Sequence, residues 1–325
     1  MSDPGSLPRV VVELDARRGR QAKHGRIQLR RFAGTALHAR QLDHIRIAHL
    51  TDLHVGRVTP MRVQQAAVRL ANEEQPDLVV ITGDFVAHSQ LFLDQLTAVI
   101  AGFSAPVIAV LGNHDYWSGA QEVRWALRRG GAEILGNRHT VITLRGQRLQ
   151  VVGLDDAYTG HASRRDALRG VRRDVATIAL SHIGEEADGL WDAGVPLVFS
   201  GHTHAGQVTL ARLHELAIGR VAGHRYVHGL YGSRASDTPG AGAVYVGAGI
   251  GAAVMPLRIG ERAQREVTIF ELGHAPGSFA EHHAEQDPLE GRNISDRKEY
   301  QRAAAVTRKT MKRRRRAARR KTLPG

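Results

Sequence analysis

The stretch VPLVFSGHTHAGQV, residues 195–208, joins an apolar run to two histidines that are separated by one residue. Side chains two residues apart in an extended segment point to the same side, so His202 and His204 can face one point in space. A polar turn with two surface histidines explains this stretch alone equally well. The rest of the sequence therefore has to decide between an ordinary turn and a binding site.

The amino-acid composition limits the chemistry available to such a site. The 325 residues include 18 His and no Cys, which excludes disulfides, thiolate zinc sites and cysteine nucleophiles. His and carboxylate side chains are then the available metal ligands. No run approaches the roughly 18 consecutive apolar residues of a membrane-spanning helix, and the first residues contain no apolar signal core. We therefore expect a cytoplasmic protein, with peripheral attachment to the membrane as an option.

Short apolar runs alternate with helical patterns through the middle of the chain. The runs lack polar alternation, which is typical of strands buried on both faces; they are 45–50, 78–82, 107–111, 149–154, 177–181 and 197–200. The helical patterns are 60–74, 89–103 and 119–129. This alternation predicts an α/β fold. Later strands, predicted at 208–210, 242–246 and 267–272, are expected to continue the same sheets.

Polar side chains follow five of these strands at the points where they end. They are Asp52 with His54, Asp84, Asn113 with His114 and Asp115, His182, and His202 with His204. Since the carboxyl ends of strands form the ligand crevice of α/β sheets, these side chains should meet in one place. Each residue alone has an ordinary explanation as a turn, cap or surface residue. Core packing does not explain all five groups together.

Seven of these residues form a donor set for metal ions: Asp52, His54, Asp84, Asn113, His182, His202 and His204. Their oxygen and nitrogen atoms suit Mn, Fe or Zn better than thiolate-binding metals. Seven donors are too many for one ion, and they suit two divalent transition metal ions that share a carboxylate. The glycines before Asp84 and Asn113 should let the backbone approach the ions closely.

The motifs DxH, GD, GNHD, a lone His and GHxH, in this order between residues 45 and 207, resemble the calcineurin-like metallophosphoesterase superfamily. The resemblance implies a β-sandwich flanked by helices, in four αββα layers. It also implies that the protein hydrolyses phosphoesters at a dinuclear metal centre. A hydroxide held between the two ions would attack phosphorus in line.

Individual roles follow from the same resemblance. One metal would be held by Asp52, His54, Asp84 and His204, and the other by Asp84, Asn113, His182 and His202, with Asp84 bridging the two. His114 would stand beside the leaving group without binding metal, where it stabilises charge and donates a proton. Asp115 would orient His114.

The sequence after GHTH resembles a bacterial branch of the superfamily. Segments 226–231, 244–258 and 266–272 carry this second resemblance, with Ala205 in place of the usual Gly. The branch includes membrane- or wall-associated phosphodiesterases and a UDP-2,3-diacylglucosamine pyrophosphatase, which implies a phosphodiester or pyrophosphate substrate such as that lipid-linked nucleotide. A nuclease or cyclic-nucleotide phosphodiesterase is the alternative enzyme. A non-catalytic binding scaffold with a basic tail is the alternative without activity.

Positive charge is concentrated near the end of the sequence. Ten of the fourteen residues Arg308 to Lys321 are basic, so the formal net charge of +13 falls to 13 − 10 = +3 without them. Such a segment can bind anionic lipid headgroups or the phosphates of a nucleic acid, or it can stay solvated without a partner. We expect a lead-in over 1–25, a catalytic domain over 26–273 and a flexible basic extension over 274–325.

Overall fold

The computed structural model describes residues 11–12, 27–87, 89–206, 223–236, 238, 240–252, 258 and 263–290. Within them lie thirteen strands: β1 (Val11–Val12), β2 (Ile27–Ala33), β3 (Ile45–Leu50), β4 (Leu78–Thr82), β5 (Val107–Val110), β6 (Ala132–Ile134), β7 (Arg138–Leu144), β8 (Gln147–Gly153), β9 (Ala176–Leu180), β10 (Leu197–Ser200), β11 (Gly229–Gly232), β12 (Ala243–Val246) and β13 (Arg265–Leu272). They form a seven-stranded sheet, ordered β1-β2-β13-β3-β4-β5-β6, and a six-stranded sheet, ordered β11-β12-β10-β9-β8-β7.

Parallel pairing brings the ends of the central strands to common edges. Strands β3, β4, β5 and β6 run parallel in the first sheet, and β8, β9, β10 and β12 run parallel in the second. The described helices are α1 (Ala36–Gln41), α2 (Met61–Glu73), α3 (Leu93–Ala101), α4 (Asn113–Arg129), α5 (Arg164–Ala167) and α6 (Ala187–Asp192). Most of these helices serve as crossover connections between parallel strands, as expected for this pairing.

The hydrophobic core has three parts, which correspond to the spaces between four layers. Between the two sheets, Ile47 and Val80 of the first pack with Phe199 of the second. Side chains at the alternate positions of these strands point away from the second sheet. In the first sheet they pack against α2, α3 and α4. The outer face of the second sheet packs against α6. Both faces of the central strands are thus buried, which is why their sequence shows no polar alternation, and the predicted four-layer α/β fold is confirmed.

The structure differs from the predicted elements in several places. Helix α4 begins at Asn113, six residues before the predicted start, and is broken at Gly119, whose φ of 119° is left-handed. Strands β1, β2, β6, β7 and β11 have no counterpart among the predicted apolar runs. The predicted strand at 208–210 lies outside the described residues. No helix in the described ranges combines the length and apolar character needed to cross a membrane.

Part of the predicted flexible extension packs against the domain. The buried guanidinium of Arg234 is paired with Glu281, and its Nε lies 2.7 Å from an oxygen of Glu285. The backbone N–H of Gln286 donates to the carbonyl of Leu230 at 2.9 Å. These carboxylates are the counter-charges that the buried Arg234 needs, and the predicted boundary at residue 274 with a flexible extension beyond it stays a prediction. The basic run from residue 308 lies outside the described residues.

Candidate metal centre

The backbone at the predicted site is held in an unusual conformation. Five of the nine described non-glycine residues with positive φ are predicted donors: Asp52 (50°), His54 (43°), Asp84 (54°), His202 (74°) and His204 (51°). Left-handed backbone disfavours residues with a Cβ, and such strain tends to occur at functional sites. The strained turns directly follow β3, β4 and β10, so the parallel strands bring all three to one edge of the sandwich.

A first group of donors consists of Asp52, His54 and His204. The Nε2 atom of His204 lies 3.2 Å from Oδ1 of Asp52 and 3.0 Å from Nε2 of His54. The other carboxylate oxygen of Asp52 accepts hydrogen bonds from Thr51 Oγ1 at 2.7 Å and from the backbone N–H of His202 at 3.0 Å. The carboxylate is thereby fixed so that Oδ1 faces the two imidazoles.

A second group consists of Asn113, His182 and His202. Oδ1 of Asn113 lies 3.0 Å from Nδ1 of His202 and 3.2 Å from Nε2 of His182, and these two nitrogens are 3.3 Å apart. The Nδ1 of His182 is 2.7 Å from the carbonyl of Thr82. Because a carbonyl only accepts, Nδ1 carries a proton, and Nε2 is the nitrogen that faces the other donors.

Asp84 lies between the two groups. Its Oδ2 atom is 3.6 Å from Nε2 of His54 and 3.4 Å from Nε2 of His182, while its Oδ1 accepts from the backbone N–H of His114 at 2.9 Å. Burial acts to raise the pKa of Asp84, but the charge of the neighbouring His182 outweighs it and holds the pKa of Asp84 well below its usual range. Burial likewise acts to lower the pKa of His182, but the carboxylate of Asp84 outweighs it and raises that pKa to about 10. A single carboxylate oxygen therefore faces both groups in its ionised form.

Glycines allow the strand ends to approach one another at this point. A Cβ at Gly112 would lie 2.3 Å from Oδ1 of Asp84, and one at Gly83 would lie 2.9 Å from Nδ1 of His182. A Cβ at Gly201 would lie 2.4 Å from Oδ2 of Asp52. These glycines are needed because any larger residue would displace a donor side chain.

The donor set fits divalent metal ions. Burial lowers the pKa of His54 and of His204 to about 3, so both imidazoles are neutral and offer lone pairs. Oδ1 of Asp52 is buried and makes no hydrogen bond within the described part of the chain. Carboxylate, amide and imidazole donors together suit transition metals of intermediate hardness. Three clusters in the described residues have ligand atoms within 4.8 Å of one another: Asp52 with His54 and His204, His54 with Asp84 and His114, and Asp84 with His182 and His202.

His114 lies at the exposed side of the donors. Its Nδ1 is 2.6 Å from the carbonyl of Ala87 and therefore donates to it, which leaves Nε2 4.0 Å from Oδ2 of Asp84. The side chain remains 15% exposed, whereas that of His54 is fully buried. His114 is thus placed where it can contact both a bound phosphoester and solvent.

Asp115 holds the backbone on either side of the metal donors. Its carboxylate accepts backbone hydrogen bonds from Phe85 at 2.8 Å and from Gly112 at 2.9 Å. Burial raises the pKa of Asp115 to about 8. Asp115 thus fixes the backbone just before Ala87, whose carbonyl holds the imidazole of His114, and its part in orienting His114 stays a prediction.

Three residues near the donors were not predicted. Nη2 of the partly buried Arg258 is 3.4 Å from Nδ1 of His204, and the rings of Trp117 and Tyr158 contact those of His114 and His202. Trp117 has a sequence signal, because it follows the GNHD motif by two residues. Arg258 and Tyr158 have none, since tertiary packing alone brings them here.

Comparison with known proteins gives one family match and several curated relatives. A sequence model of a family described as calcineurin-like phosphoesterase matches residues 45–206. The uncharacterized metallophosphoesterase YkuE of Bacillus subtilis is 28% identical over 71% of this chain and 79% of its own length. The phosphodiesterase YaeI of Escherichia coli is 29% identical over 70% of this chain and 82% of its own length. A transmembrane protein with metallophosphoesterase domain from Danio rerio is 32% identical over 69% of this chain and 52% of its own length.

Proposed function

The chain belongs to the calcineurin-like phosphoesterase family, and we propose that it hydrolyses phosphodiester or pyrophosphate bonds with two divalent metal ions held by the seven donors. The observation that carries this proposal is the position of Asp84. One of its carboxylate oxygens faces His54 of the first group and His182 of the second. A shared carboxylate between two donor groups is the arrangement that a two-metal hydrolase requires.

The protein's own residues have distinct parts in the proposed reaction. Bound metal ions would supply a lowered pKa for water and polarisation of the phosphoryl oxygens. Asp52 and Asp84 offset the positive charge there, and the carbonyl of Thr82 fixes the tautomer of His182. Nδ1 of His114 donates its proton in a hydrogen bond to the carbonyl of Ala87. Nε2 is therefore the atom that takes up a proton from solvent and gives it to the leaving oxygen.

Turnover of synthetic esters tests this proposal. Protein loaded with Mn or Fe should hydrolyse bis-p-nitrophenyl phosphate, and chelation should abolish the activity until metal is returned. Elemental analysis should find about two ions per chain, as a shared carboxylate implies. Fewer than one bound ion per chain after growth with both metals, together with no turnover of any ester, would favour the non-catalytic scaffold.

We further propose that the substrate is a lipid-linked nucleotide such as UDP-2,3-diacylglucosamine. In this proposal, the basic run Arg308 to Lys321 recruits the protein to anionic membranes. The support is the density of basic residues, together with a relative whose name describes a transmembrane protein. Each basic residue near an anionic surface contributes about 1 kcal/mol before screening.

Vesicle binding tests this recruitment. Removing Arg308 to Gly325 should weaken co-sedimentation with phosphatidylglycerol vesicles at low salt and leave hydrolysis of a soluble diester unchanged. Tight binding to duplex DNA or RNA by a protein that ignores such vesicles would instead support the nuclease alternative.

A further inference from the structure

Two exposed aromatic side chains stand beside the metal centre. Trp117 is 44% exposed and Tyr158 is 40% exposed, which makes them two of the five large apolar side chains exposed in the described residues. The ring of Trp117 lies 4.8 Å from that of His114, and the ring of Tyr158 lies 5.3 Å from that of His202. The two rings are 6.0 Å apart and nearly perpendicular, at 79°. They form a corner, which we call the aromatic corner, over the donors.

Core packing does not explain this exposure. Trp117 belongs to the part of α4 before Gly119 and Tyr158 to the loop after β8, so two separate elements deliver aromatic rings to one place. Exposed apolar surface beside a polar site is typical of ligand binding. Trp125, on the same helix and 57% exposed, offers a contrast, because its ring is covered by the guanidinium of Arg129 at 4.5 Å.

We propose that the aromatic corner stacks on the nucleobase of the phosphoester substrate, an inference that rests on the proposed function. A nucleobase has apolar faces and polar edges, and the surroundings of the corner are polar. The ring of His224 lies 5.2 Å from that of His202, and its Nδ1 is 3.1 Å from a carboxylate oxygen of Glu185. An acyl chain needs a longer apolar groove than two rings provide, whereas stacking on aromatic side chains suits every base.

The backbone of α4 fixes the corner relative to the reaction centre. Asn113, His114 and Trp117 lie on the helical segment that ends at Gly119, so one backbone segment positions a predicted metal donor, the predicted acid and the stacking ring. Nε2 of Gln90 donates to the carbonyl of Ser118 at 2.8 Å and holds the end of this segment. The spacing between the predicted donor Asn113 and the ring of Trp117 is thereby set by one short helical segment.

Binding of a nucleotide and of its base-free counterpart tests the proposal without relying on turnover. The probes are thymidine 5′-monophosphate and 1,2-dideoxyribose 5-phosphate, titrated calorimetrically into the metal-loaded full-length protein. The nucleotide should bind about tenfold more tightly, within the range that base stacking supplies. Trp117→Ala and Tyr158→Ala should each reduce this ratio toward one, while Tyr158→Phe, which keeps the ring, should retain it.

Trp125→Ala is the matched control, because it removes an exposed Trp from the same helix away from the donors. It should leave the ratio unchanged. Equal affinities of the wild-type protein for the two probes would overturn the proposal, and so would a ratio that survives Trp117→Ala. Octyl phosphate is the third probe. If it also binds more tightly than the base-free sugar phosphate, and if Trp117→Ala and Tyr158→Ala remove that difference, the nucleobase assignment fails. Failure of the proposed function is distinct, since it appears as absent hydrolysis of bis-p-nitrophenyl phosphate.

Discussion

Replacing His114 with Ala tests whether this residue acts as a proton donor or as a metal ligand. The structure places Nε2 of His114 4.0 Å from Oδ2 of Asp84 and fixes its Nδ1 on the carbonyl of Ala87. A positioned acid of this kind contributes roughly 10²–10⁴ to the rate. At 1.36 kcal/mol for each factor of ten, the variant should lose about 3–5 kcal/mol of transition-state stabilisation. All seven predicted donors remain, so its metal content should be unchanged.

Steady-state kinetics on two diesters supplies the measurement. For a p-nitrophenolate leaving group, which needs little protonation, kcat should fall by about 10². For an alkoxide leaving group, which needs a proton, kcat should fall by about 10⁴. His139→Ala is the matched control, because Nδ1 of His139 also lies near a backbone carbonyl, that of Ala167 at 3.1 Å, but away from the donors. Equal losses for both leaving groups would refute proton donation. Loss of metal would make His114 a ligand, which its position within 4.8 Å of donor atoms of His54 and Asp84 makes a real alternative.

Three further predictions concern the bridge, the strand ends and the pH dependence of stability. Asp84→Asn keeps the shape but removes the charge shared by both donor groups, so elemental analysis should show loss of at least one ion, and near-normal turnover with both ions retained would contradict bridging. Gly112→Ala should displace Asp84, lower metal content and cost about 1–3 kcal/mol of unfolding free energy, whereas Gly56→Ala, where a Cβ meets nothing closer than 3.7 Å, should be tolerated. Burial lowers the pKa of His38 from 6.5 to about 4, so the unfolded chain takes up this proton first and stability falls as pH drops from 6.5 toward 4. His38→Gln, which keeps a capping residue, should reduce the stability lost between pH 7 and 5 by about 2 kcal/mol in urea titrations, and an unchanged pH slope would exclude His38 as a source.

Local patterns predicted the central strands well, because burial on both faces leaves an unbroken apolar run. Strands β3, β4 and β10 occupy the predicted residues. Strand β2 escaped prediction, since its polar Arg30 is buried against Glu266 of β13, whose oxygen lies 2.6 Å from the guanidinium Nε. That partner is 236 residues away in sequence, and no local window contains it.

The candidate site shows the same division between local and distant information. The structure brings the seven predicted donors together because each directly follows a strand, and strand ends are legible from sequence; their role as ligands stays a prediction. The start of α4 was misjudged because Asn113, His114 and Asp115 read as a polar turn, although they form the first turn of a helix that Gly119 interrupts. Tyr158 was missed because nothing local marks a loop residue that folds back over His202.

The segment that pairs with Arg234 also determines where the following chain leaves the domain. Its backbone N–H at Leu289 donates to the carbonyl of Arg225 at 2.9 Å, and Arg225 adjoins His224 beside the donors. Arg308 comes 308 − 290 = 18 residues after the last described position. Even a fully extended chain of that length reaches only about 60–65 Å. An anionic partner of the kind proposed for the basic run would therefore be held within this reach of the domain, at a raised effective concentration for the metal centre.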